Sequence, residues 1–330
     1  MDEYRSQGEE NVSMNVCRHP NAIEKFRVPI DVKTNLPTRH GSVLNCPDCG
    51  LGFVKELPKP SEVAAHYRLP SYYTHGTSHL PTVEPRLRDR VITHLAWRLD
   101  KGRHFDPRRV VPSPEEGMTG LDIGCGAGAM LTAMSAAGLQ PIGVDPDPSA
   151  RLEAQRSGHT VFAGTAEALP VEIAGRTFDL VTLTHTLEHC LDPIKALSNA
   201  RSALSPSGTF YCEVPNAGSR YFELYGQISE MLDVPRHLYF FSKSALSAAA
   251  RAAGLDITDW LFSGYTRHFL PNWKAWENSI FERLEASGVK LACSRRTLAG
   301  DLALLTRSAF LPPERRYDCI GFIARRTAEA

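Results

Sequence analysis

Three groups of residues in this 330-residue chain have types and spacings that can do chemistry. The first is Leu121-Asp122-Ile123-Gly124-Cys125-Gly126-Ala127-Gly128, with Asp145 at the end of the next apolar run. Gly124, Gly126 and Gly128 let backbone come close to a ligand, and the helical pattern that follows offers unpaired amide groups. An acid at the end of the next strand accepts both ribose hydroxyl hydrogens of a nucleoside. The second group is Cys46-Pro47-Asp48-Cys49-Gly50, which puts two thiols on one tight turn, with Cys17 and His19 upstream. Cys17, His19, Cys46 and Cys49 make a chemically sound tetrahedral set for a structural zinc, and His40 is an alternative to His19. The third group is His185, His189 and His237, each placed just past a predicted strand. Imidazole takes up a proton near neutral pH, which suits a general base. Each group has a plainer reading as well: a loop without a nucleotide, two ordinary thiols, histidines that cap a helix or bond beside Arg236.

These residues need elements to hold them. Residues 1–15 read as a disordered tail and 16–60 as short strands and turns ending in the Cys-x-x-Cys-Gly turn. Residues 61–117 form a helical linker, whose best helix spans 86–98 with Val91, Ile92, Leu95 and Ala96 on one face. The stretch 101–117 is rich in Pro, Gly and charge and reads as loop. From 118 onward, strands at 120–123, 141–144, 160–163, 180–183 and 209–214 alternate with helical patterns. That alternation predicts an α/β domain over 118–330, its parallel sheet covered on both faces. Two more strands, at 255–262 and 319–324, flank a mostly helical insert (266–316), and a smaller insert occupies 216–240. The inserts are dense in aromatics, including Tyr221, Phe222, Trp273 and Trp276, which suit either a pocket lining or a subdomain core.

Composition narrows the function classes. Thirty-seven basic and 37 acidic residues cancel, which counts against nucleic acid as the main partner, although a local patch can hide in a neutral total. The N-terminus has no apolar signal-peptide core, and no stretch approaches the ~20 apolar residues of a membrane helix. The chain therefore reads as cytoplasmic, where eight cysteines favour thiols or metal ligands over disulfides. Cys125, Cys190, Cys212, Cys293 and Cys319 read as small core residues.

The loop spacing is Gly-x-Gly-x-Gly after an aspartate, unlike a dinucleotide fingerprint. LDIGCGAG strongly resembles the first motif of class I S-adenosylmethionine-dependent methyltransferases, and GVDPDP the second. FAGTAEALP (162–170), FDLVTLTHTLEHCLDP (178–193) and LSPSGTFYCEVPN (204–216) continue the likeness in the same order. The resemblance implies a Rossmann-like fold with a mostly parallel seven-stranded sheet whose last strand is antiparallel. It also implies S-adenosylmethionine held by Asp122, Gly124, Gly126, Gly128 and Asp145, with adenine near Thr165 and Ala166. Relatives often carry Asp where Thr165 stands. DVPRHLYFFS (233–242) resembles a segment of the subgroup that includes ubiquinone-biosynthesis O-methyltransferases. One branch carries a small N-terminal zinc module, which CPDCGLGFV (46–54) resembles, and aromatics near the cofactor where Ser71-Tyr72-Tyr73 stand, making Tyr73 a cofactor contact. In the ubiquinone-type enzymes an acid at position 185, with the Glu and His matching Glu188 and His189, holds a divalent ion. His185 removes one negative charge from that set.

The expectation is methylation of a small molecule at oxygen (a phenol, a sugar or a natural-product intermediate) by in-line displacement with His185, His189 or His237 as base. Competing readings are a methyltransferase acting on tRNA or protein, C- or N-methylation by proximity alone, and a non-catalytic cofactor-binding protein. A homo-oligomer is left open.

Overall fold

A computed structural model describes residues 17–67, 79–111 and 115–327. The expected tail at 1–15 and the Ser71-Tyr72-Tyr73 contact lie outside the described residues.

The chain begins with short antiparallel strands: β1 (Ile23–Arg27), a two-residue ribbon of β2 (Ile30–Asp31) and β3 (Leu36–Pro37), then β4 (Ser42–Asn45) and β5 (Gly52–Val54). β4 pairs with both β1 and β5. The free edge of β5 is taken by a strand from far along the chain, with Tyr239 opposite Phe53 and Phe240 opposite Gly52. The small N-terminal sheet is thus closed by the body of the protein.

The helix Leu87–Leu99 follows. Ile92 and Ala96 are its buried residues, while Val91 and Leu95, expected on the same face, stand exposed. Adjacent helical residues diverge by about 100°, and only the 92/96 stripe meets the body.

The main sheet contains β6 (Thr119–Ile123), β7 (Gln140–Asp145), β8 (Thr160–Ala163), β9 (Phe178–Thr184), β10 (Leu204–Pro215), β12 (Leu255–Ser263) and β13 (Cys319–Arg326); β11 is Tyr239–Phe240. Its order is β12-β13-β10-β9-β6-β7-β8. β13 runs antiparallel to both neighbours, and the described β6–β7, β7–β8, β6–β9 and β9–β10 pairings are parallel. Near-continuous apolar runs such as Leu180, Val181 and Leu183 are buried because helices cover both faces. Each fully buried Leu, Val or Phe contributes about 1.5–3 kcal/mol.

The order turns back between β6 and β9: the chain leaves β6 outward through β7 and β8, then returns to β6's other side. Ligands of open α/β sheets bind outside the carboxyl ends of the strands at such a reversal. Gly124 follows β6 and His185 follows β9, so topology alone sets the glycine loop beside the histidine segment. The 266–316 insert contributes helices Pro271–Ala286, Leu298–Ser308 and Pro313–Arg316. Tyr221, Phe222, Tyr265, Phe269, Trp273 and Trp276 are buried, as a subdomain core requires. No helix among the described residues is long and apolar enough to cross a membrane.

Candidate cofactor and active site

Gly124, Gly126 and Gly128 have φ of 77°, 52° and 89°, a left-handed backbone that favours glycine. A Cβ added at Gly124 would stand 2.1 Å from Thr186 Oγ1, so the loop touches the segment after β9 directly. Gly128 caps the helix Ala129–Ala136. Asp145 braces the loop from below: Oδ2 accepts from Gly126 N–H at 2.9 Å and Oδ1 from Asp147 N–H at 2.8 Å. A carboxylate has about four acceptor sites, so Asp145 can still take hydrogens from a ligand. Asp122 is buried and accepts from Thr182 Oγ1 at 2.7 Å; burial pushes its carboxyl up to about 7. Thr165 and Ala166 lie just past β8. Thr165 Oγ1 accepts from Ala168 N–H at 3.1 Å, and the Ala166 carbonyl accepts from Asn199 at 2.9 Å.

The three histidines occupy different environments. His185 sits at φ 50°, half-exposed, with Nδ1 3.4 Å from Glu188 and Nε2 3.3 Å from Glu213. Burial opposes its second proton, but Cys319, Glu188 and Glu213 outweigh that and hold its pKa well above 6.5. Glu213, a residue the sequence reading passed over, also accepts from the Tyr211 hydroxyl at 2.8 Å. Burial resists its charge, and His185 with Tyr211 pulls its carboxyl down to about 2. An acid inside the apolar run FYCEVP was the available signal. Cys319, expected as a plain core residue, lies 3.8 Å from His185 Nε2 and accepts from Arg267 at 2.6 Å.

His189 Nδ1 lies 3.0 Å from the Arg236 carbonyl and 2.8 Å from the Tyr67 hydroxyl. A carbonyl only accepts, which assigns the proton to Nδ1 and the lone pair to Nε2. Burial, reinforced by His237, drives its pKa down to about 4. His237 Nδ1 is 2.9 Å from the Met231 carbonyl, so its lone pair is likewise on Nε2, 4.0 Å from Glu188 Oε1. Glu188 is buried, and neither of its oxygens receives a well-formed hydrogen bond among the described residues. Burial raises its pKa but the histidines win, leaving it ionised. The set expected to gather was His185, Glu188 and His189; in the structure Glu188, His189 and His237 present ligand atoms within 4.8 Å of one another, while His185 Nε2 turns to Glu213 and Cys319. A buried anion flanked by two lone pairs can accept a proton or hold a cation.

On the N-terminal sheet, Cys17, His19, Cys46 and Cys49 bring their ligand atoms within 4.8 Å of one another. Cys17 Sγ and Cys46 Sγ are 3.9 Å apart, and Cys49 Sγ is 3.4 Å from His19 Nδ1. A tetrahedron with ~2.3 Å arms has edges of about 3.8 Å, so the donor set fits zinc. The left-handed backbone at Gly50 (φ 75°) and its 2.9 Å bond to the Cys46 carbonyl shape the turn. His40 is not part of this set; its Nδ1 donates to the Glu56 carbonyl.

Residues 98–259 match the family described as a methyltransferase domain. A ubiquinone biosynthesis O-methyltransferase of Cereibacter sphaeroides is 33% identical over 165 residues, covering 47% of this chain and 67% of that protein. Its namesake from Roseobacter denitrificans is 32% identical over 192 residues, 54% of this chain and 74% of that protein. Among solved structures, a SAM-dependent methyltransferase from Archaeoglobus fulgidus superposes with a TM-score of 0.45 at 18% identity, covering 72% of this chain and 94% of that one.

Proposed function

The chain belongs to the class I S-adenosylmethionine-dependent methyltransferases, and from that premise we propose that it methylates an oxygen of a small-molecule acceptor with His237 as the base. One observation carries this reading: the Thr186 hydroxyl lies against Gly124, which sets the Glu188–His189–His237 cluster beside the cofactor loop. The bound cofactor supplies a sulfonium methyl, already a good electrophile, so the protein's own contribution is alignment and proton removal. Gly124, Gly126, Gly128 and the following helix start seat the methionine end, Asp145 takes the ribose hydroxyls, and Thr165 and Ala166 face adenine. Asp122, hydrogen-bonded to Thr182, stiffens the loop from beneath.

His185 has a carboxylate beside each ring nitrogen, Glu188 at Nδ1 and Glu213 at Nε2, which favours its protonated form over a free lone pair. His189, near 4, is a weak base. His237 offers an Nε2 lone pair, and the Glu188 carboxylate 4.0 Å away stabilises the imidazolium that forms. With S-adenosylmethionine bound, the acceptor O–H proton would pass to His237 Nε2 while the O–CH3 bond forms as the S–CH3 bond breaks, and the leaving group would be neutral S-adenosylhomocysteine. A phenolic hydroxyl, with an ordinary pKa of about 10, asks least of such a base. The oxygen specificity of the relatives, named O-methyltransferases, supports the same acceptor atom. Incubation with S-adenosylmethionine and panels of phenols, sugars, tRNA and protein, read by mass spectrometry, should return a methyl ether on a small molecule. Methyl carried on carbon, nitrogen, RNA or protein instead would overturn it.

Two expected results accompany this reading. S-adenosylhomocysteine should bind by calorimetry in the micromolar range, roughly 8 kcal/mol. Asp145→Ala should weaken it by at least ~1.5 kcal/mol, the scale of hydrogen bonds to a charged group. Unchanged affinity removes Asp145 from the ribose. We also propose that Cys17, His19, Cys46 and Cys49 hold one structural zinc, since their donor atoms match a closed tetrahedral site. Elemental analysis of protein purified without chelator should give about one zinc per chain, and metal-free, folded, active protein would end that assignment.

A further inference from the structure

The helix Leu87–Leu99 carries two apolar stripes, and the fold uses only one. Ile92 and Ala96 are buried, and Thr93 between them donates to the Phe269 carbonyl, so that side faces the body. Leu87, Val91 and Leu95, at i, i+4 and i+8, point the other way and are 79%, 50% and 44% exposed. The helix Leu298–Ser308 packs beside it, tied at both ends. Lys274 bridges Asp89 at 3.2 Å and Asp301 at 3.0 Å. Arg316 donates to the carbonyls of Leu99 and Ala309. Pairing 89 with 301 and 99 with 309 sets the two helices side by side in the same direction. Leu298 then falls beside Leu87, Leu302 beside Val91, and Phe310, 92% exposed, beside Leu99. The result is a two-row apolar face open to solvent.

Charge along these two helices is one-sided. Arg88, Arg90, Arg98 and Arg307 are exposed. The only acids within the two helices, Asp89 and Asp301, are turned inward onto Lys274. In a chain of zero formal charge, this is a local basic and apolar surface. A second copy of the chain would set arginine against arginine. Nucleic acid would satisfy the arginines and leave the leucine rows and Phe310 in water. A bilayer bearing anionic headgroups takes up both, with leucines at the acyl boundary and arginines among the phosphates. We propose that the paired helices Leu87–Leu99 and Leu298–Ser308 dock this protein on an anionic membrane surface, lying on it and not crossing it.

The test is co-sedimentation of the full chain with phosphatidylcholine vesicles, with and without phosphatidylglycerol. Binding is expected to the anionic vesicles alone and to fall as salt rises, because the Debye length shortens. Arg88→Glu with Arg98→Glu should weaken it by about 30-fold or more. Val91→Glu with Leu95→Glu should abolish it through the apolar row. All four side chains are exposed and outside the cofactor site, so S-adenosylhomocysteine affinity stays unchanged and certifies the fold. Failure to bind anionic vesicles, or variants that bind as well as the parent, overturns the proposal. So does a surface that instead retards RNA, or that drives concentration-dependent dimerisation which these substitutions abolish.

Discussion

Replacing His237 with alanine lowers the maximal rate by about 10²- to 10⁴-fold and leaves S-adenosylhomocysteine affinity nearly intact, the range for a lost general base. The expectation follows from which ring nitrogen is available. His237 commits Nδ1–H to the Met231 carbonyl at 2.9 Å, so Nε2 is the only nitrogen that can take a proton. Glu188, buried and ionised, lies 4.0 Å from that nitrogen and shares the same oxygen with His185 Nδ1 at 3.4 Å. His237→Gln keeps a polar side chain of similar reach without a titrating ring, and should be as slow as the alanine variant if proton transfer is the role. If His237→Ala keeps most of its rate, the base assignment is wrong; a carbon nucleophile or an acceptor already ionised in solution would behave that way. The catalytic contribution would then be alignment alone.

Arg236→Ala should cost about 3–5 kcal/mol of stability, the scale for removing one partner from a buried ion pair. Arg236 is buried and reaches Asp31 at 2.7 and 2.9 Å and Asp233 at 2.7 Å. It also donates to the His66 carbonyl at 3.2 Å. Burial works against ionising Asp31 and Asp233, and Arg236 overrides it, holding both carboxyls below their usual range. Depressed carboxyl pKa values mean stability that is present above about pH 4 and lost as pH falls through the folded values. In the variant two carboxylates stay buried, with Lys33 still bridging Asp233. Urea denaturation of parent and variant at neutral pH measures the difference. A loss below ~1 kcal/mol, the size of a surface pair, would show that the network is not under tension.

The geometry of the proposed cofactor loop was readable in the sequence because its determinants are local. Gly124, Gly126 and Gly128 must be glycine where the backbone is left-handed, and Asp145 ends the adjacent strand, so loop and acid meet through one crossover. The sheet followed from strands alternating with helices. The histidine cluster proposed for the acceptor side was less legible, since it is built from long-range pairings. Nothing in His185-Thr186-Leu187-Glu188-His189 says that His185 spans Glu188 and Glu213 or that His237 joins the Glu188 side. Tautomers are set by the Arg236 and Met231 carbonyls, and backbone carbonyls leave no trace in residue types. The helix at 87–99 misled for another reason: with apolar residues on two sides, periodicity cannot say which side is covered.

Closure of the N-terminal sheet by Tyr239–Phe240 has a bearing on how such chains change over time. Phe53 and Tyr239 are opposite partners in one ladder, as are Gly52 and Phe240, and a side chain on Gly52 would stand 2.9 Å from Phe240 Cβ. Substitutions at these positions, nearly two hundred residues apart in sequence, are therefore constrained as pairs, and an alignment of chains sharing both segments should carry that covariation. Tyr239 lies two residues past His237, so the paired positions also fix where the histidine begins its reach. A descendant that sheds the first strands inherits an open strand edge with two aromatics on it. It must blunt that edge with charge, proline or a new segment, or be lost to aggregation.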